Sequence, residues 1–246
     1  MGTLKSNVIE PATGTNLSLG ASGDVIDVTS DTLQLNTWKD SGGNTLFTSD
    51  GSGTLSSINS ALDIGGGPNL IQSQTASSSA AISFTSGIDS TYDKYMFVFV
   101  NINPVSSSSV NFQFQGNVAG GSGYNETMTS TFFYSWHNEA DNDAGLAYQA
   151  DHDQAQGTAF QPLAMGMGNA SDRSWNGILY LFSPSSTTYV KQFYSTVVAS
   201  RYSTSAYCFE TFAAGYFNTT SAIDEIQFKM SSGNINAGTI KMYGCR

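Results

Sequence analysis

Three glycines and a proline, Gly65-Gly66-Gly67-Pro68, separate two stretches of different chemistry. N-terminal to them lie two of the nine basic residues, one of the fifteen Phe and no Tyr; C-terminal to them lie fourteen Phe and all twelve Tyr. Aromatic side chains are what a core is built from, so a break this sharp predicts a domain boundary. Consecutive glycines favour neither helix nor strand, and the proline fixes its own φ, which suits a hinge. The expected organisation is an N-terminal stem, anchor and oligomerisation segment over residues 1–67, followed by a β head over residues 68–246.

The head predicts strands throughout. Ala80–Thr85, Lys94–Asn101, Ser109–Gln115, Thr131–Trp136, Trp175–Ser183, Tyr189–Ser200, Ala206–Phe217, Asp224–Met230 and Thr239–Tyr243 are rich in β-branched and aromatic residues. Val110-Asn-Phe112-Gln-Phe114 and Ile226-Gln-Phe228-Lys-Met230 alternate, as strands with one buried face do. Met96–Val100 and Ile178–Phe182 are continuously apolar, which predicts central strands covered on both faces. The expected fold is therefore all-β: an extended β-rich stem and an antiparallel, jelly-roll-like β-sandwich.

The stem repeats loosely. Polar-Leu units containing Leu17, Leu19, Leu33, Leu35, Leu46 and Leu55, with Val25 and Val28 between, are separated by Gly- and Ser-rich turns. A segment this thin cannot bury its apolar residues alone. The expectation is that identical chains share a stripe along one axis, as a homotrimer, through these residues and Ile58 and Leu62. Leu55, Ile58 and Leu62 have the spacing of one heptad, which predicts either a short helical neck capped by Thr54 or one more strand and turn.

Composition narrows the function. Charged residues are 11% and the net charge is −10, which argues against nucleic acid and anionic membrane partners. No apolar run approaches the roughly 20 residues of a membrane span, and no signal peptide is expected. A polar, weakly charged surface without an export signal points to release by host lysis. Cys208 and Cys245 are expected as unpaired thiols, with Cys208 in the core and no histidine nearby.

The polar stretch from Asn138 to Gln161 and its flanks hold the candidate binding residues: Trp136, His137, Tyr148, Asp151, His152 and Phe160. Exposed aromatics stack on sugar faces, and long loops on rigid sheets commonly carry recognition. The histidines and carboxylates here lack a recognised metal-ligand spacing, so neither metal nor other cofactor is expected. Met165-Gly-Met-Gly-Asn169 is not expected to hold phosphate.

Val8-Ile-Glu-Pro-Ala-Thr-Gly-Thr15 with Leu17–Asp24, the motif Phe84-Thr-Ser-Gly87-Ile-Asp-Ser-Thr91-Tyr92, and the terminal Gly238-Thr-Ile-Lys-Met-Tyr-Gly244 resemble segments of structural proteins of tailed bacteriophages, marine ones among them. The resemblance implies a non-enzymatic virion surface protein of the tail-fibre or capsid-decoration type. It would assemble in the host cytoplasm, attach to other virion proteins through the stem and expose its head for attachment to a host surface glycan or protein, or for decoration of the shell. Two alternatives stand beside it: a polysaccharide-degrading tailspike and a cellular lectin-like adhesin domain.

Overall fold

Alternation of apolar and polar side chains organises the computed structural model of the chain, which describes residues 37–39, 42–49, 51–52, 55–56, 67–107, 109–202 and 206–245. The chain divides into two compact units, Met1–Gly65 and Gly66–Arg246. In the first, β1 (Thr37–Lys39), β2 (Thr45–Ser49) and β3 (Leu55–Ser56) form an antiparallel three-stranded sheet. Trp38 lies opposite Phe47, their rings stacked at 5.7 Å, and Leu46 is half-buried. Leu55 is in a strand, as the strand-and-turn alternative expects, so no helix starts there. The other predicted oligomerisation residues, Leu17, Leu19, Val25, Val28, Leu33, Leu35, Ile58 and Leu62, lie outside the described residues.

The second unit consists of thirteen strands: β4 (Asn69–Thr75), β5 (Ile82–Phe84), β6 (Lys94–Pro104), β7 (Val110–Val118), β8 (Met128–Asn138), β9 (Ala144–Tyr148), β10 (Gln154–Gly157), β11 (Gln161–Met167), β12 (Trp175–Phe182), β13 (Lys191–Tyr202), β14 (Ala206–Phe217), β15 (Ile223–Met230) and β16 (Ile235–Cys245). They form an antiparallel nine-stranded sheet, ordered β10-β8-β14-β13-β12-β6-β16-β4 with β9 also on β8, and a four-stranded sheet, β11-β7-β15-β5. No helix occurs among the described residues.

The connectivity is that of a jelly roll with two insertions. Strands β4, β5, β6 and β7 pair in turn with β16, β15, β12 and β11, so the first arm of the chain runs against the second in reverse order. This long ribbon folds over itself and closes through β16 on β6 and β15 on β7. The result is two four-stranded sheets, β4-β16-β6-β12 and β5-β15-β7-β11, with successive strands of each arm alternating between them. The insertions β8–β10 and β13–β14 both extend the first sheet beyond β12.

Between the sheets lies an aromatic core. The ring of Phe228 meets Phe97, Phe99, Phe112, Phe84 and Phe114 at 5.4, 5.3, 5.8, 6.2 and 6.3 Å. Trp175 stacks on Phe112 at 6.2 Å, and all these rings are buried. Edge-to-face and stacked geometries of this kind add to the burial energy itself. Lys191 is also buried; its ammonium donates to the carbonyls of Tyr189 at 2.7 Å and Thr219 at 3.3 Å, tying two turns at one end of the sandwich. Burial holds its pKa below the ordinary lysine value.

Two expectations need correction. The continuously apolar segments are not covered on both faces: in β6 and β12 buried residues alternate with half-buried ones, because the smaller sheet lies on one side only. Cys208 is exposed rather than in the core, and it lies directly across from His137 of β8. Both cysteines are free thiols. They sit on β14 and β16, which are separated in the sheet by β13, β12 and β6, too far to bridge.

Candidate functional site

The stretch between β8 and β11 is a folded edge rather than a long open loop. After Asn138 the chain turns and returns as β9, whose Ala144, Leu146 and Tyr148 face His137, Ser135 and Phe133 of β8. It turns again and returns as β10 against Ser130 and Met128. The turns are self-contained. Asn138 is buried, and its amide oxygen accepts the backbone N–H groups of Asn142 and Asp143 at 3.0 and 3.2 Å.

Buried amides lock this edge to the sandwich. Gln161 accepts from the Ser130 hydroxyl at 2.5 Å and donates to the carbonyls of His152 and Pro162, each at 2.9 Å. Gln115 donates to the carbonyls of Glu126, Thr158 and Ala159 at 3.0–3.2 Å and accepts from the Gly116 N–H at 2.8 Å. Buried amides satisfied on both sides fix backbone position in a way apolar contacts do not. Neither glutamine carries a sequence signal, since its role depends on carbonyls far away in the chain.

The six candidate residues divide among separate environments. Trp136 and His137 are neighbours on β8 and so point to opposite faces of the sheet. Trp136 is half-buried, covers Gly145 and donates from Nε1 to Asp143 Oδ1 at 3.0 Å. The second oxygen of Asp143 accepts from the Tyr207 hydroxyl at 2.9 Å. These two bonds, the Trp136 one first, hold the Asp143 carboxyl below its ordinary pKa. His137, on the other face, is exposed and within 3.1 Å of Asp141. Tyr148 is 55% exposed on that same outer face and donates to the Asp153 carboxylate.

His152 and Phe160 turn elsewhere. His152 Nε2 is 3.0 Å from the Asn111 amide, and the imidazole lies against Phe132. Its Nδ1 is buried without a hydrogen-bond partner, and burial lowers its pKa against the opposing charge of Asp151. Phe160 is covered by the Lys229 ammonium at 4.0 Å, a cation–π contact. Asp151 is exposed in the turn between β9 and β10. The six therefore do not converge. Among the described residues, no group of three or more His, Cys, Asp or Glu is placed to hold a metal ion.

What the structure assembles instead is an aromatic platform on the outer face of the larger sheet. Phe133 and Phe212 stack at 4.7 Å, and Phe133 lies opposite Tyr148. Tyr180 lies opposite Tyr194 at 5.0 Å, with Phe182 at 5.9 Å from Tyr194. The aromatic content of β12, β13 and β14 is plain in the sequence, but which rings face outward is set by the register of five strands. Compared with known proteins, the chain matches no family model, no curated protein and no solved structure.

Proposed function

We propose that the protein is a non-enzymatic surface component of a tailed-phage particle, of the fibre or decoration type. The N-terminal unit attaches it to other virion proteins and joins copies as a trimer. The jelly-roll unit faces solvent, where it engages a host surface glycan or reinforces the shell. One observation carries this reading: the two head motifs that resemble phage structural proteins meet as a structural clasp. The turn holding Ile88-Asp-Ser-Thr91-Tyr92 packs on the end of β16, with the Tyr92 ring against Gly244. The resemblance thus lies in residues that shape the sandwich, as in a family defined by architecture rather than by chemistry.

Asp89 and Asp143 are held below the ordinary carboxylate range by hydrogen bonds, which suits structural acceptors.

The test is immunogold electron microscopy of purified particles from the source culture, with antibody against the jelly-roll unit. Labelling at a fixed particle position is expected, and purified protein should compete with particle adsorption if the unit is an attachment module. Absence of the protein from particles overturns the proposal. Release of oligosaccharide from host polysaccharide, lost in Asp151→Asn, favours the tailspike alternative instead.

A further inference from the structure

The outer face of the nine-stranded sheet is the largest feature left without a role inside the head. One cross-strand row runs Val98, Ile178, Thr196, Phe212, Phe133 and Tyr148 across six adjacent strands, β6 to β9. The flanking rows add Tyr180 and Tyr194 on one side and Val198 and Leu146 on the other. Several are open to solvent: Leu146 is 69% exposed, Tyr194 46%, Val198 45% and Phe133 38%. A standard stable interface buries on the order of 800 Å² per copy, which takes a face several strands wide such as this one.

Charge identifies the occupant. The chain carries 28 charged residues and a net charge of −10. Among the described outward side chains of the six strands in that row, the charged ones are Glu210, to which Thr196 donates at 3.1 Å, and Lys94, whose ammonium lies 5.7 Å from the Tyr180 ring, so their charges cancel. Two copies of a protein this acidic repel each other unless they meet where charge is missing. Depletion of charge with enrichment of aromatics is also the composition of an interface centre. Val98, Ile178, Val198 and Leu146 stand beside these rings, with Thr131, Ser135 and Thr196 between them.

We propose that this face is a self-association surface, buried against the same face of further copies of the chain. It stands independently of the virion assignment, and it places a contact between copies in the jelly-roll unit as well as in the N-terminal unit.

The full chain tests it by sedimentation equilibrium combined with hydroxyl-radical footprinting. Tyr189, 71% exposed on the turn before β13, is the open reference. The expected result is a multimer in which Tyr148, Tyr194 and Phe133 are oxidised several-fold more slowly than Tyr189. A Phe133→Glu/Tyr194→Glu variant should weaken association roughly thirtyfold, the loss of a central aromatic anchor, and bring Tyr148 labelling up to that of Tyr189. The wild-type footprint decides the matter even if that variant misfolds. Single copies at all concentrations overturn the proposal, whether the face is open or covered by the chain's own N-terminal unit. So does a multimer whose Tyr148 and Tyr194 label as fast as Tyr189, or protection that appears only when host polysaccharide is added.

Discussion

The ring of Tyr92 packs so closely on Gly244 that a Cβ at position 244 would come within 2.3 Å of Tyr92 Cδ2. The Tyr92 hydroxyl meanwhile accepts from the Asn69 side-chain amide at 2.7 Å. One aromatic ring thereby joins the turn before β6, the last strand β16 and the first strand of the head, β4. The Gly238–Gly244 and Phe84–Tyr92 motifs, far apart in the chain, are one feature in space.

Gly244→Ala is therefore expected to displace Tyr92 and cost about 1–3 kcal/mol, the usual penalty of overpacking. For a unit of this size that lowers the thermal midpoint by about 2–4 °C per kcal/mol. Tyr92→Ala removes the obstacle, so adding Gly244→Ala to it should cost much less than adding it to the wild type. Calorimetry on the four proteins of this cycle checks the coupling; additive losses would place the ring elsewhere.

Alkaline pH should weaken the fold through Tyr95. Its hydroxyl accepts the Asp89 N–H and donates to the Asp89 carbonyl, each at 2.9 Å. Burial, with the Asp89 charge adding to it, pushes its pKa from 10.0 up to about 12. Between these values the unfolded chain has released a proton that the folded chain keeps, so stability is full below pH 10 and falls as pH rises towards 12. The loss is about 3 kcal/mol over that window. Tyr95→Phe should cost about 1–2 kcal/mol at neutral pH through the unpaired Asp89 groups and flatten the alkaline slope. Urea titrations at pH 8, 10 and 11.5 distinguish the two slopes.

At acid pH the Trp136–Asp143–Tyr207 link should report on itself. The Asp143 pKa is depressed in the folded state, so its contribution is present above the ordinary carboxylate value of 3.8 and is lost as pH falls through the lower folded value. Emission from Trp136 should change in that acid range, and Asp143→Ala should produce the change already at neutral pH. Trp175, buried on the inner face, and Trp38 of the N-terminal unit supply the background, which a Trp136→Phe variant measures directly.

Thiol chemistry separates the two cysteines. Cys208 is exposed on β14 and Cys245 is 7% exposed at the end of β16. A chromogenic disulfide reagent should modify one thiol promptly in the native protein, and Cys208→Ser should abolish that phase. The second thiol should react only on denaturation. Two prompt equivalents would mean that the end of β16 opens.

Nine of the head strands were legible because Phe-, Val- and Tyr-rich segments such as Tyr95–Val100 and Ile226–Met230 need a buried face wherever they lie. The four that were not, β4, β9, β10 and β11, all run along sheet edges. Sequences such as Gln154-Ala-Gln-Gly157 become strands because a neighbour offers unpaired carbonyls and amides, and no local pattern encodes that offer. The same holds for the candidate site. Trp136 and His137 are adjacent in the chain and part to opposite faces, whereas Phe133, Phe212 and Tyr194 are distant in the chain and share one.

The sequence by itself determined that the chain is all-β, where its aromatic wealth begins, and which segments must be covered on at least one side, because burial of apolar surface is written residue by residue. Only the tertiary structure decided the jelly-roll pairing, the locking of the inserted edge by Gln115 and Gln161, and the side to which each ring of the outer platform turns. Those depend on register between strands as far apart in the chain as Asn69 and Gly244, and a shift of one residue would turn every side chain to the other face.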